Sequence, residues 1–517
     1  MSERNTQRLP EGWVLASLPE IAAINPATAR LTGDDATPVN FVPMRAVEPE
    51  GGGLANPEVR PYGEVKKGYT SFLSGDVIMA KITPCMENGK TTAVPDLPGK
   101  LCFGSTEFHV IRAEDGVQPK WISNFLLQHA VRRVAQRQMT GGVGQMRVPA
   151  SFLQGLQIPV APIAEQQRIS DALDELLSDL DAGVEAFQRA QAKLSLYRAS
   201  VLKAAVQGDL TAEWRKQHPD AEPASALLQR ILAERRQRWE QEQLRKFKAA
   251  GKTPPANWKA KYKEPVAPDT TNLPPLPASW CWSSLGQCFE VHVGATPSRS
   301  LASYWNGDIP WVASGEVQFC RISQTRETIT QAGFDNTSTQ VNPVGSVLLN
   351  MIGEGKTRGK AGLLEIAACN NQNCAAIWVS QSPIPSLYVY YWLLFRYEET
   401  RQLGSGNNQP AMNSTIVKEI PIPIGPLDEL SAVVESIESQ MSVVEHLDAD
   451  LSGKLATATA LRQSILRHAF TGQLVPQDSK DEPASELLKR IAAEREARKK
   501  TKATPRKQTV KRQRRGK

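Results

Sequence analysis

The stretch YRASVLKAAVQGDL, residues 197–210, returns as LRQSILRHAFTGQL at residues 461–474. An apolar, helix-patterned run closed by glycine and met twice asks whether the whole chain is built twice. Working outward from it, LQIPVAPIAEQQRI at 156 recurs as KEIPIPIGPLDEL at 418, and EPASALLQRILAERR at 222 recurs as EPASELLKRIAAERE at 482. Further out, SGDVIMAKI at 74 is echoed by VGSVLLNMI at 344, and LPEGWVLASLPEIAAI near the start by LPASWCWSSLGQCFEV at 276. The offsets run from 260 to 270 and the order is kept, so one unit of about 265 residues is used twice.

Within each unit the first 150 or so residues mix β-branched and aromatic runs with Gly, Pro and Asn punctuation and one amphipathic helix, the pattern of a globular α/β (α+β) part. A proline-bounded strand then leads into a long helical pattern. Leu173, Leu176, Leu180, Gly183, Phe187, Ala190, Leu194, Tyr197, Val201 and Ala204 fall at steps of three and four in the first copy. Leu430, Val434, Ile437, Met441, Val444, Leu451, Leu455, Ala458 and Ile465 keep that rhythm in the second, with Asp448 and Arg462 at its polar interruptions. This is a coiled-coil seam. A helix over about 163–206 is on the order of 60 Å long and needs a partner, and its twin over about 427–470 supplies one. Two-fold pseudosymmetry between the units makes the pairing antiparallel.

A chain of 517 residues with 41% hydrophobic content has room for about three or four domains. Its longest nearly apolar run, IPSLYVYYWLLF, is too short to span a bilayer, which predicts a cytoplasmic protein with no membrane partner. Seven cysteines without a C-x-x-C pair predict reduced thiols, neither a disulfide framework nor a zinc site. The net charge of +7 sits in the tail: residues 497–517 carry 11 Lys or Arg and no acid, and the rest holds 50 basic against 54 acidic residues. Any nucleic-acid binding by the folded part therefore rests on local patches, with the tail a salt-sensitive helper or a solubilising end.

Three chemistries are set aside on spacing. VLLNMIGEGKTRGKAG, residues 347–362, looks like a phosphate loop, but Asn350 stands where the leading glycine belongs and no good helix start follows. The order Asp96, Glu107, His109 resembles a metal-nuclease core only faintly, because His stands where such cores use Lys and the second unit has no copy. No Gly-rich S-adenosylmethionine loop is present, and INPA, ANPE and VNPV lack the Pro-aromatic continuation that adenine methylation requires.

Two globular parts, each followed by a long helix, resemble the specificity subunit of type I restriction-modification systems. The resemblance is carried by the LPxxW starts at 9 and 276, GDVIMAKI with its echo GSVLLNMI, IPWVASGEV at 309, IPVAPIAEQQRI at 158 and ILRHAFTGQL at 465. It implies a non-catalytic DNA-reading chain with two target-recognition domains, at 1–160 and 276–425. Spacer helices lie at 161–207 and 426–472, a charged helix and Pro-rich linker at 208–275, a repeated charged helix at 473–499 and a basic disordered tail at 500–517. The implied partners are double-stranded DNA with a bipartite target, two methyltransferase subunits docked on the helices, and restriction/translocase subunits. S-adenosylmethionine, ATP and magnesium belong to those partner subunits, and this chain holds no cofactor. The duplicated charged helix is assigned to equivalent contacts with the two methyltransferases. A stand-alone nucleotide-dependent or nuclease enzyme, and a coiled-coil scaffold without DNA specificity, are the alternatives.

A bipartite reader needs Arg or Lys for guanine, Asn or Gln for adenine and Ser or Thr for either, inside a set of phosphate contacts. In the first domain the candidates are Arg45, Lys81, Thr83, Asn88, Lys90, Ser105, Thr106, Gln145 and Arg147. In the second they are Ser314, Lys356, Arg358, Lys360, Asn370, Asn371, Gln372, Asn407, Asn408 and Gln409. Gly89-Lys90 stands opposite Gly359-Lys360 when the two strands are aligned, which makes a basic loop beside each half-site the expected use of the 347–362 stretch.

Overall fold

In the computed structural model, which describes residues 9–28, 31, 34–142, 144–353, 356–404 and 411–503, the strand after each LPxxW start pairs with the strand that feeds a long helix. Val14–Ser17 runs antiparallel to Gln157–Val160, and Cys281–Ser284 to Pro421–Ile424. Both ladders have only two strands, which is why their prolines, opposite Leu15, Trp282 and Ser284, are tolerated.

Two compact units result. One holds the described residues up to Gln188 together with those from Ser452 onward; the other is Arg189–Leu451. The first unit has a sheet ordered Ala22–Ile24, Phe108–Ala113, Val77–Ala80, Thr91–Ala93, and a second ordered Glu58–Pro61, Pro38–Val42, Leu101–Gly104, Thr70–Leu73. The second unit repeats this with Glu290–Val293, Cys374–Trp378, Val347–Asn350, Ala361–Leu364 and Cys320–Ile322 in one sheet. Glu327–Ile329, Trp305–Val312 and Cys369–Asn370 form its other sheet. Most pairs are antiparallel, but Pro38–Val42 runs parallel to Leu101–Gly104, Trp305–Val312 to Cys369–Asn370 and Cys320–Ile322 to Ala361–Leu364. The fold is therefore α+β. Val77–Ala80 and Val347–Asn350 are buried at every residue, as continuous apolar runs covered on both faces should be.

The long helices span Ile163–Val206 and Leu427–Ala469, and parts of both lie in each unit. In the Arg189–Leu451 unit they run antiparallel: Tyr197 Oη donates to Gln440 Oε1 at 2.9 Å, and Gln191 Nε2 to Asp448 Oδ1 at 3.3 Å. Val201, Leu430, Ile437 and Met441 join that unit's core there, with Val434 packed at its edge. In the other unit Leu173 shares a core with Ile465, Leu466, Ala469 and Phe470, and Arg462 pairs with Asp181. Val444 is also buried, and Leu180, Phe187, Leu194, Leu451 and Leu455 are half-buried. One seam position is corrected. Leu176 (41% exposed) faces outward, because one helix covers only a narrow stripe of another, and Leu177 packs on the core instead, whereas Tyr197, 47% exposed, still reaches the partner helix through its hydroxyl.

The repeated charged helices, Ala224–Ala249 and Ala484–Ala503, dock at equivalent places, one in each unit. Ala224 N–H donates to Ser279 O and Ala484 N–H to Gly12 O, both at 2.9 Å. Arg235 donates to the carbonyls of Gly286 and Phe289, and Arg495 to that of Pro19, closing the short helix after each LPxxW start. Ala224, Leu227 and Ile231, like Ala484, Leu487 and Ile491, are buried against the globular part of their own unit, and only the charged faces remain outside. Any methyltransferase contact of these helices is therefore left to their charged faces. The linker folds back as well, with Trp258 and Tyr262 5.9 and 5.3 Å from Trp239 between ring centroids. All seven cysteines are free thiols, and burial pushes Cys288 up to about 12. Among the described residues no helix is long and apolar enough to cross a membrane.

Candidate nucleic-acid interface

Val77–Ala80 and Val347–Asn350 each leave the core, turn, and return as Thr91–Ala93 and Ala361–Leu364. The backbone closes the same way in both units: Ala80 N–H donates to Lys90 O and Asn350 N–H to Lys360 O, each at 2.9 Å. Gly89 and Gly359 precede the lysines at φ +66° and +83°, a left-handed turn that costs glycine little. Val347–Asn350 and Ala361–Leu364 are thus antiparallel neighbours in one sheet, whereas the strand before a phosphate loop leads into a helix. Lys90 Nζ donates to Met44 O at 3.1 Å and Lys360 Nζ to Gln318 Oε1, which anchors the two ammonium groups beside their loops.

In the first unit the extension of this strand gathers several candidates. Lys81 N–H donates to Glu107 O (2.9 Å), Val148 N–H to Lys81 O (2.8 Å) and Thr83 N–H to Met146 O (3.0 Å). These bonds bring the Ser105-Thr106 turn and the Gln145–Arg147 loop alongside Lys81 and Thr83. Arg147 forms two 2.9 Å bonds to Glu107, and that guanidinium holds the Glu107 carboxyl below its usual range. Asn88 is exposed, with its carbonyl accepting from Glu50 N–H. Arg45, 79% exposed on the Met44–Ala46 turn, pairs with Glu58. The nuclease-like trio does not assemble: Asp96 is exposed, Glu107 is taken by Arg147, and buried His109 bonds Val148 O at 2.8 Å. Among the described residues no three metal-ligating side chains converge.

In the second unit Ser314 O accepts from Asn350 Nδ2 (3.1 Å), placing that turn beside the strand end. Lys356 is exposed while its carbonyl accepts from Tyr397 Oη, and Arg358 is half-buried. Gln372 is exposed and bonded to Thr296. Asn407, Asn408 and Gln409 lie outside the described residues. Asn370 and Asn371 are corrected: both are buried. Asn370 Nδ2 donates to the carbonyls of Asn371 (2.9 Å) and Cys374 (2.8 Å), and its Oδ1 accepts from Asn342 (2.8 Å). A Cβ at Gly294 would lie 1.9 Å from Asn370 O. Asn370 is thus an internal strut between strand ends, and Asn371 Oδ1 accepts from Asn373 N–H at 3.2 Å within its own turn.

The model of the type I restriction modification DNA specificity domain matches residues 10–186 and again 277–460. The chain belongs to this family. It is similar to the EcoEI specificity subunit of Escherichia coli, 27% identical over 512 residues that cover 88% of this chain and 82% of the relative. The EcoAI specificity subunit of Escherichia coli is 30% identical over 56% of this chain and 53% of its own length. The StySPI subunit of Salmonella potsdam is 22% identical over 95% and 97%. A chain from a solved structure of type I R-M complex assembly superposes with a TM-score of 0.65 at 20% identity, over 90% of this chain and 99% of that one. The protein is a type I specificity subunit with two target-recognition domains.

The motif-based candidates omit one arginine in each target-recognition domain. Arg60 lies over the Phe41 ring at 3.9 Å, and Arg299 over Trp305 at 3.8 Å and Trp311 at 5.2 Å. A glutamate on an edge strand grips each guanidinium, Glu58 in the first domain and Glu327 in the second. The available signals, Glu-x-Arg in a strand and an arginine near tryptophans in a Gly/Pro/Ser loop, are too common in sequences to single them out.

Proposed function

We propose that each target-recognition domain reads one half of a bipartite, asymmetric DNA target through the strand ends described above, and that the two long helices set the unread gap and carry two methyltransferase subunits. The observation that carries this reading is the duplicated Gly-Lys turn: the same backbone closure at the same strand end, surrounded by different side chains in the two domains. A shared frame with divergent decoration is what two readers of different half-sites require. The lysines, with Arg45 and Lys356, supply phosphate contacts that fix register, and the Ser, Thr, Gln and Arg side chains nearby face base edges. Methyl transfer, cleavage and translocation belong to partner subunits, and S-adenosylmethionine, ATP and magnesium with them.

The deciding experiment exchanges residues 9–150 for those of another family member and maps methylated bases in a genome carrying the chain with its methyltransferase. One half-site should change and the other stay. A change in both halves would overturn the modular reading, and ATP hydrolysis or DNA cleavage by the purified chain alone would overturn the non-catalytic assignment.

A further inference from the structure

Pro38–Val42 and Trp305–Val312 are equivalent strands. Each is flanked by a parallel strand on one side and by a short antiparallel edge strand on the other. Phe41 on the first stands opposite Glu58, and Trp311 on the second stands opposite Glu327. Each of these buried aromatics meets a second ring nearly at right angles: Tyr69 at 4.9 Å and 84°, Trp305 at 5.1 Å and 89°. Against each aromatic pair lies an arginine held by the facing glutamate. Glu58 Oε2 accepts from Arg60 Nε at 3.0 Å and Nη2 at 2.6 Å, while Glu327 accepts from Arg299 Nη1 and, at 2.9 Å, Nη2. The arginines come from unrelated chain positions, Arg60 two residues beyond its glutamate on the same strand and Arg299 from the loop after Glu290–Val293. One four-part arrangement is thus built twice from different sequence.

We propose that Arg60 and Arg299 are specificity-determining residues, each presenting a fixed guanidinium to a guanine edge in its own half-site. The assignment rests on the reading of one half-site per domain. The ring fixes the guanidinium plane and the glutamate fixes its rotation, so little orientational freedom is lost on meeting a base. The two clamps use different edges of the fork. Glu58 engages the Nε/Nη2 edge of Arg60 and Glu327 the Nη1/Nη2 end of Arg299, so a guanine meets the Nη end of the first and the Nε side of the second. Each arginine remains accessible, with 33% of the Arg60 side chain and 54% of the Arg299 side chain exposed. The arrangement is also placed among the candidates: Arg45 shares Glu58, and Thr296, in the Arg299 loop, bonds Gln372. A phosphate contact needs net positive charge; Glu327 cancels that of Arg299, and Glu58, shared by two arginines, leaves the one remaining charge of its cluster to the more exposed Arg45. A directional fork survives that pairing, and base-edge readout requires one.

The test uses the full chain in complex with its methyltransferase subunits, on a duplex carrying the mapped methylation target and on duplexes with each recognised base pair replaced in turn. Arg60→Ala should reduce discrimination on the order of tenfold or more at one G·C pair of one half-site, and Arg299→Ala should do so at one pair of the other. In each case the salt dependence of binding should stay unchanged. Glu58→Gln and Glu327→Gln, which keep side-chain shape, should weaken discrimination at the same pairs to a smaller extent. Uniform weakening on all duplexes with a shallower salt slope would make these arginines phosphate contacts and overturn the proposal. A lowered melting temperature with discrimination intact in the folded complex would make them edge-strand braces and overturn it equally. Intact discrimination in these variants, while the 9–150 exchange still switches one half-site, sinks this proposal and leaves the modular reading standing.

Discussion

Glu165 is a buried carboxylate to which the Trp13 indole N–H donates at 2.9 Å. Burial raises its pKa above the usual glutamate value, and the Trp13 hydrogen bond only partly opposes that shift. The sign follows from linkage: the neutral form is favoured by folding, so this contribution is fully present below the unfolded pKa and is lost as pH rises through the raised folded value. Glu165→Gln keeps an acceptor for Trp13 and removes the titration. The melting temperature of the wild type minus that of the variant should therefore fall from pH 4 upward and then level off; a difference that grows with pH would refute the assignment. The second copy is arranged differently, with Glu429 bonded to Arg215 and Thr211. At this scale the sequence was only partly legible. The NNQN run is rich in base-reading side chains, yet Asn370 braces strand ends and Asn371 closes a local turn to Asn373 N–H, because hydrogen-bonding capacity does not say which partner is in reach. Arg60 and Arg299 escaped for the converse reason: what sets them apart is a ring and a carboxylate delivered by pairing across strands.

At the scale of elements, the end of the second long helix docks by aromatic packing. Phe470 lies 4.6 Å from the Trp121 ring and 5.2 Å from that of Phe125, in a core that also holds Trp13, Leu173 and Leu487. One side chain thus ties both long helices and the terminal charged helix to the first target-recognition domain. Phe470→Ala should cost about 3–5 kcal/mol in the urea unfolding of that unit; a loss below about 1 kcal/mol would show that the helix end is held by its polar contacts instead. Those contacts are substantial: Gln463 accepts from His129 N–H at 2.7 Å, and Arg462 reaches Glu50 O and Asp181. Both long helices were legible from apolar periodicity because their stripes run for many turns. Leu176 was misplaced because spacing alone does not say which of two adjacent leucines, Leu176 or Leu177, the core covers. The stripe of the repeated charged helix was hidden by its brevity, three small or apolar residues among many charges.

For the whole molecule, duplication was the most legible feature, because a repeat in order needs no knowledge of contacts. The polar interruptions of the seam give it a mechanical consequence. Arg462 meets Asp181 in one unit and Asp448 meets Gln191 in the other, and each pairing fixes helix register where apolar contacts alone would allow a heptad slip. If the helices set the unread gap, shortening them must respect both pairs. Removing one heptad from the first helix between Asp181 and Gln191, and one from the second between Asp448 and Arg462, keeps the seam in phase and both pairings available. Seven residues at 1.5 Å each amount to about 10 Å, or roughly three base pairs of B-DNA. The methylated-base map should then show both half-sites unchanged and the gap shortened by about three base pairs. A heptad removed from one helix only leaves the two pairings incompatible in register, and methylation at both the original and the shortened spacing should drop at least tenfold. An unchanged gap after the matched deletion would mean that something other than these helices measures the distance between half-sites.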